Sequence, residues 1–288
     1  MSARMATTTA PADEMLKRSP DSAAMLDYWD QVDAIVDGIA AIRLQGDKFL
    51  PRFTDEDAAD YDYRLKLTKM TNVYRDTIEA LAAKPFEDEV SLILDDKQNA
   101  VPEAMLKFIE NVDGAGNNLT VFCGSTFFNG INNALDWIMI DYKKRADTAA
   151  IRNMADAKKA GLRPYWSHVL ARNVLAARSK VINGNEVLEY VKIFEPGAPD
   201  HIRVFERTET GVTWTLYQKS DKPAESGKSQ FVQIDTDVVT IGIIPMVPFA
   251  TGRRDGRSWR FFPQMRDAAD LQIELYQQES GLKFAKTL

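Results

Sequence analysis

One cysteine in 288 residues, Cys123, leaves no partner for an internal disulfide and no thiolate set for a Cys-rich zinc site. Histidine is almost as scarce: His168 and His201 stand apart, form no HExxH motif and have no carboxylate at a metal-ligand spacing. No run of 18 apolar residues could cross a membrane, and the opening MSARMATTTAPADEMLKRSP lacks the apolar centre of a secretory signal. A soluble chain made in a reducing cytoplasm is the expectation. The phosphate-cradling patterns GxxxxGK[ST] and GxGxxG and the hydrolase elbow GxSxG are all missing.

What acids and nucleophiles remain do not assemble a site. Asp95-Asp96 and Glu87-Asp88-Glu89 are neighbouring carboxylates that point apart on an extended or turning backbone, as in a solvated turn. Cys123 lies in the apolar stretch 119–128, where a small thiol packs as a hydrophobe and has no base beside it. The sequon Asn118-Leu119-Thr120 has no use in an unexported chain. No catalytic, cofactor-binding or metal-binding set is expected, and the chain reads as a non-enzyme.

What is present is the composition of a folded protein, 45% hydrophobic and 27% charged, with room for two packed layers or two small domains. Its charge is uneven: 13 basic and 25 acidic residues precede residue 142, and 23 and 17 follow. The first half therefore repels nucleic acid, and only residues 143–145 and 253–260 concentrate cations. Arg253, Arg254, Arg257 and Arg260 are the candidate contacts to a partner or to DNA. Beside them Trp259, Phe261 and Phe262 read as a hydrophobic latch onto a sheet.

Periodicity divides the chain into an α+β protein. Residues 1–18 have no pattern and are expected to be a disordered tail, followed by a helical part over 19–160. There Ser19-Pro20 starts a helix expected to run to Gly46, Thr54 starts one of about 28 residues ending at Pro85, Pro102 opens a short third, and 118–135 forms a fourth. Residues 137–142 read as a strand and 143–161 as a polar connector. Over 161–262 the pattern becomes antiparallel β: a helix is expected around 167–179, then Asn183-Gly184 as a hairpin turn, then strands at 187–194, 201–207, 212–218, 231–234 and 238–241.

The last stretch, 263–288, is expected to be a helix opened by Pro263, about 39 Å long and without a stop signal, as in a chain that continues. Met265, Ala268, Leu271, Leu275 and Leu282 share one stripe, and Ile273, Tyr276 and Phe284 share another flank. Such a helix expects neighbours on two sides. Leu271, Leu275, Leu282, Ile273, Tyr276 and Phe284 are therefore the candidate oligomer contacts.

Three segments carry a resemblance. In 46–86 the pattern includes Gly46, Phe49, Leu50, Pro51, Tyr61, Arg64, Leu65, Asn72, Arg75, Thr77, Lys84 and Pro85; LRPYWSHVLARNVLAARSKVINGNEVLEYVKIFEP carries Arg163, Pro164, Tyr165 and Glu195; and GIIPMVPF places Ile244-Pro245 before the last helix. In order and spacing they resemble the portal proteins of tailed bacteriophages, in a portal-like branch. The resemblance implies the α+β wing of a portal plus the beginning of its stem helix, with no counterpart for a clip, returning helix or crown, hence a fragment. It implies a homo-oligomeric ring, a dodecamer in similar portals, at one capsid vertex of the virion. Double-stranded DNA would pass through it without sequence preference, and the partners would be capsid or scaffold, terminase and head-completion proteins. The family supplies no catalytic residue, cofactor or membrane contact. Another virion or protein-interaction module, or an enzyme with an unrecognised site, are the alternatives.

Overall fold

A computed structural model describes residues 9–93, 101–142, 163–222 and 229–287, with side chains through residue 282. Its architecture is α+β. The helices are α1 (Ala12–Met15), α2 (Pro20–Asp37), α3 (Ile39–Leu44), α4 (Ala58–Leu67), α5 (Val73–Ala83), α6 (Glu103–Ile109), α7 (Leu119–Asn133) and α8 (Arg266–Thr287). The strands are β1 (Thr9–Pro11), β2 (Leu135–Tyr142), β3 (Pro164–Val169), β4 (Val174–Ile182), β5 (Asn185–Glu195), β6 (His201–Thr208), β7 (Gly211–Lys219), β8 (Gln230–Val238), β9 (Met246–Ala250), β10 (Arg253–Arg254) and β11 (Phe261–Phe262). The described residues fall into two compact units, each built from separated stretches: one holds the chain up to Met25 with Asp136–Pro248 and Arg254–Phe261, the other Leu26–Leu135, Phe249–Arg253 and the chain from Phe262. The expected linear boundary near residue 160 is replaced by this interleaving.

In the first unit β4 to β8 run as an antiparallel meander, and β1 adds to its far side, giving the order β1-β8-β7-β6-β5-β4. Thr9↔Val232 and Pro11↔Gln230 set the β1 register, so residues 9–18 are not the tail expected; sheet pairing and the turn of α1 order them. Ala12, Leu175, Ile202 and Phe231 are buried together, with Met15, Phe194, Val204 and Tyr217 packed on them. Asn183 and Gly184 take φ of +50° and +81°, the left-handed pair that joins β4 and β5 in a tight hairpin. The expected helix around 167–179 is overturned: β3 pairs with β2 from Trp137↔Val169 to Tyr142↔Pro164, and a short turn at Ala171–Asn173 leads into β4. Apolar residues at 169, 171, 174, 175 and 177 suit a helical stripe as well as strands, and pairing across the sheet decided between them. The strands expected at 231–234 and 238–241 are one strand, β8, which ends at Val238. The connector at 143–161 lies outside the described residues, except that β2 and β3 flank it.

The second unit is helical. Ser19 Oγ accepts from Ser22 N at the start of α2, but Gly38 at φ +91° breaks the expected single helix into α2 and α3. The expected long helix from Thr54 to Pro85 is likewise two. Asp57, not Thr54, caps α4 by accepting from Asp60 N at 2.8 Å, and Asn72 caps α5 by accepting from Arg75 N at 3.0 Å. Arg43 closes α4, donating to the carbonyls of Leu65, Lys66 and Thr68 at 3.1, 2.7 and 2.8 Å. Asn118 caps α7 through Val121 N, and the carbonyls at its far end receive Tyr28 Oη on Asn132 O and Trp29 Nε1 on Asn133 O. Tyr74 Oη meets the Asn132 side chain at 3.0 Å. Burial pushes the Tyr28 phenol up to about 12 and raises Tyr74 as well, so both stay protonated donors.

Close packing here constrains Gly252 and leaves Gly281 open. A Cβ on Gly252 would lie 2.7 Å from both the Ala134 Cβ and the Phe262 carbonyl oxygen, whereas a Cβ on Gly281 in α8 meets nothing within 4 Å. Gly252→Ala should therefore lower stability by about 1–3 kcal/mol, and Gly281→Ala should raise it by about 0.5–1 kcal/mol. Chemical denaturation of both variants checks the pair, and a destabilising Gly281→Ala would show that α8 is not an open helix at that turn.

Candidate functional site

The last helix begins at Arg266 rather than Pro263. Phe262 ends β11, the residue before a proline prefers extended backbone, and the first helical bond runs from Ala269 N to Met265 O at 2.9 Å. Residues 269, 272, 273, 276 and 280 then recur at helical spacing, and all five, Ala269, Gln272, Ile273, Tyr276 and Ser280, are buried. Two of the five, Gln272 and Ser280, are polar. These polar members are the anchors of the helix.

Gln272 serves the break between α4 and α5: its Oε1 accepts from Tyr74 N at 3.0 Å and its Nε2 donates to Thr71 O at 2.9 Å. One side chain thus satisfies a donor in the first turn of α5 and a carbonyl of the loop before it. Further along, Gln277 Nε2 donates to Phe49 O at 3.1 Å and Thr71 Oγ1 to Glu279 Oε1 at 3.0 Å. At Ser280 the helix meets Arg64, whose Nη1 donates to Ser280 Oγ at 3.1 Å. The same guanidinium grips Glu56 through Nε at 2.6 Å and Nη2 at 2.7 Å and donates to Pro51 O at 2.9 Å. It lies 4.1 Å from the centre of the Phe53 ring. With side chains only 2% and 3% exposed, Arg64 and Glu56 form a buried ion pair with hydrogen bonds on every side. The Arg64 hydrogen bonds hold the Glu56 carboxyl below the usual carboxylate range.

The outward stripe of α8 is different. Leu271 is 63% exposed and Leu282 64%, while Leu275 between them is half-buried. Of the candidate oligomer contacts, these three face away from the inner stripe. Ile273 and Tyr276 are corrected: they are core residues of their own unit and have no surface to offer another copy. The side chain of Phe284 lies outside the described residues. Projection counted apolar positions only, so Gln272, Ser280 and the burial of Arg64 were missed; the signal available was an Arg and a Gln falling on apolar stripes.

The candidate basic contacts are partly used up. Arg254 forks onto Glu186 at 2.8 and 2.7 Å, donates to the Ser258 and Arg257 carbonyls and stacks 4.6 Å from the Trp259 ring. The Arg254 hydrogen bonds pull the Glu186 carboxyl down to about 2. Arg253 lies 4.5 Å over the Phe262 ring, Arg260 reaches Asp255 at 4.0 Å, and Arg257 is exposed. Trp259 packs 5.0 Å from Trp137, its backbone N–H donates to Asp21, and Phe261 is buried. The aromatics act as a latch in this fold.

His168 bonds the buried Asp136, whose carboxyl is raised by burial against the opposing pull of His168. Burial also raises the Cys123 thiol, and Glu87, Asp88 and Glu89 are exposed, while Asp95 and Asp96 lie outside the described residues. Among the described residues no group of three potential ligands could hold a metal ion, and no helix is long and apolar enough to cross a membrane. No family model matches the chain, and no curated protein matches it.

Two outcomes follow from the geometry. Arg64→Met strands the Glu56 carboxylate and releases Ser280, so it should cost about 3–5 kcal/mol, whereas Tyr276→Phe removes a buried hydroxyl that has no partner among the described residues and should be near neutral. Urea titrations distinguish them; equal losses would mean the seat of α8 depends on shape alone. The depressed Glu186 carboxyl contributes stability that is fully present above its unfolded value, about 4.5, and is lost as pH falls through about 2. Glu186→Gln should therefore flatten the fall in stability across that window, read from thermal midpoints along a pH series, and an unchanged slope would refute the linkage.

Proposed function

We propose that this chain is the wing-like body of a ring-forming portal subunit, through whose assembled channel double-stranded DNA passes in a tailed-phage virion. Two supports meet at one place. The portal-like pattern over 46–86 contributes Phe49, Pro51, Arg64 and Asn72, and these are residues that seat or frame α8: Phe49 and Pro51 by their carbonyls, Arg64 by its guanidinium, Asn72 by capping the helix beside it.

The observation that carries the reading is the division of α8 into an anchored inner stripe and an outward one bearing Leu271, Leu275 and Leu282. A closed ring of identical subunits needs two different surfaces on each copy, one receiving what its neighbour presents. An apolar stripe on a rigidly held helix suits the presenting role, because burial of each leucine gains about 1.5–3 kcal/mol and the anchors keep the helix from turning. The acidic surplus before residue 142 favours sliding of a duplex over retention, since each phosphate neutralised by a cation slows its release. Terminase, capsid or scaffold and head-completion proteins are the partners such a ring engages, and the reading assigns the chain no catalytic step.

The test is assembly. In the full-length gene product, Leu271→Asp with Leu282→Asp should abolish rings seen by negative stain and by light scattering while leaving the circular dichroism and the denaturation midpoint close to wild type, because both positions are solvent-facing. Intact rings from the double variant, or a wild type that never passes beyond a monomer, would sink the proposal.

A further inference from the structure

A second feature lies in the β unit and is independent of the reading above. A cavity of about 400 Å³ opens between the segment before α2 and strands β4 and β5, with Lys17, Arg18, Arg178 and Lys192 in its walls against two acids, Glu14 and Asp21. Asp21 accepts from Trp259 N at 2.6 Å, which leaves its charge in place, so the four cations face two carboxylates. The charge left over is positive.

Lys192 is the unusual member. It is 8% exposed, and its ammonium donates to the Lys17 carbonyl at 2.7 Å and more weakly to the Glu14 carbonyl at 3.4 Å. Neutral carbonyls satisfy two of its three donors but leave its charge uncompensated, and it forms no ion pair among the described residues. Burial and the neighbouring Lys17 charge both lower its pKa. The Arg178 guanidinium carbon lies 4.4 Å over the centre of the Tyr190 ring, a contact that leaves its N–H groups able to meet an acceptor. Three cations of this kind, one of them buried, describe a receptor for more than a single negative charge.

We propose that this cavity binds a small phosphate-class dianion, free phosphate or a phosphomonoester, with Lys192 and Lys17 at its centre and Arg178 closing over it. A monoester phosphate carries close to two charges at neutral pH and presents three oxygens to separate donors. A duplex offers singly charged diesters with only two unsubstituted oxygens each, which matches a cluster of separate donors less well.

Titration calorimetry of the full chain with inorganic phosphate, and thermal midpoints in phosphate against chloride at equal ionic strength, give the measurement. Phosphate should raise the midpoint above the chloride control. Lys17→Ala with Arg178→Gln, both exposed and so compatible with the fold, should weaken phosphate binding by about tenfold or more. Lys192→Met should remove the phosphate response, and its circular dichroism shows whether the sheet is retained; the Lys17/Arg178 variant carries the test if it is not. No shift beyond chloride, or an undiminished response in the Lys17/Arg178 variant, overturns the site. A random-sequence duplex should not compete with phosphate, and displacement by the duplex would overturn the assignment to a small anion.

Discussion

A guanidinium cannot be left dry without a counter-charge, and in the helical unit this demand falls on Arg64. Four of its N–H donors are met by Glu56, Pro51 and Ser280, which come from a loop preceding α4 and from the last helix of the chain. Each partner must stand where the planar fork points, so the loop at 51–56 and the rotation of α8 are set by the same side chain. A pair of this sort adds little net stability over an apolar substitute, because desolvation of both ions offsets their attraction. Its effect is on specificity: with either ion alone the burial would be strongly unfavourable, and the arrangement that joins them is selected over alternatives with the same apolar content.

The rest of the seat repeats the theme with neutral acceptors. Arg43 takes the three carbonyls at the end of α4, Asn72 caps α5 while its amide donates to Ile35 O at 2.6 Å, and Gln272 closes the gap between those helices. Directional bonds of this kind fix a helix about its own axis, which apolar packing alone does poorly. The outward leucines of α8 are the counterpart of that fixation.

In the β unit several cations are paired with nearby carboxylates. Arg203 bonds Glu195 at 2.6 Å, Arg254 forks onto Glu186, Lys180 reaches Glu189 at 3.1 Å and Lys219 Asp200 at 3.4 Å. A formal count of cations in sequence therefore overstates the field that a phosphate backbone would meet. Lys17, Arg178 and Lys192, which form no ion pair among the described residues, line one cavity.

The sequence by itself determined the α+β class, the change from helical to alternating periods, the hairpin at Asn183-Gly184 and the existence of a long last helix, because each follows from local periodicity or from a backbone conformation that few residues adopt. It also carried the residues of the helix seat in the pattern over 46–86, without saying what they touch. Tertiary structure decided where the long helices break, since Gly38, Thr68 and Asn72 interrupt stripes that stay in phase across the gap and the freed backbone groups find their partners on distant segments. It decided that residues 169–177 are strand and turn, through pairing with β2 and β5. And it decided which flank of α8 is buried: Ile273 and Tyr276 go inward with Gln272 and Ser280, and Leu271 and Leu282 go outward, because the polar side chains had backbone and guanidinium partners to meet inside and hydropathy alone does not register a hydrogen bond across 200 residues.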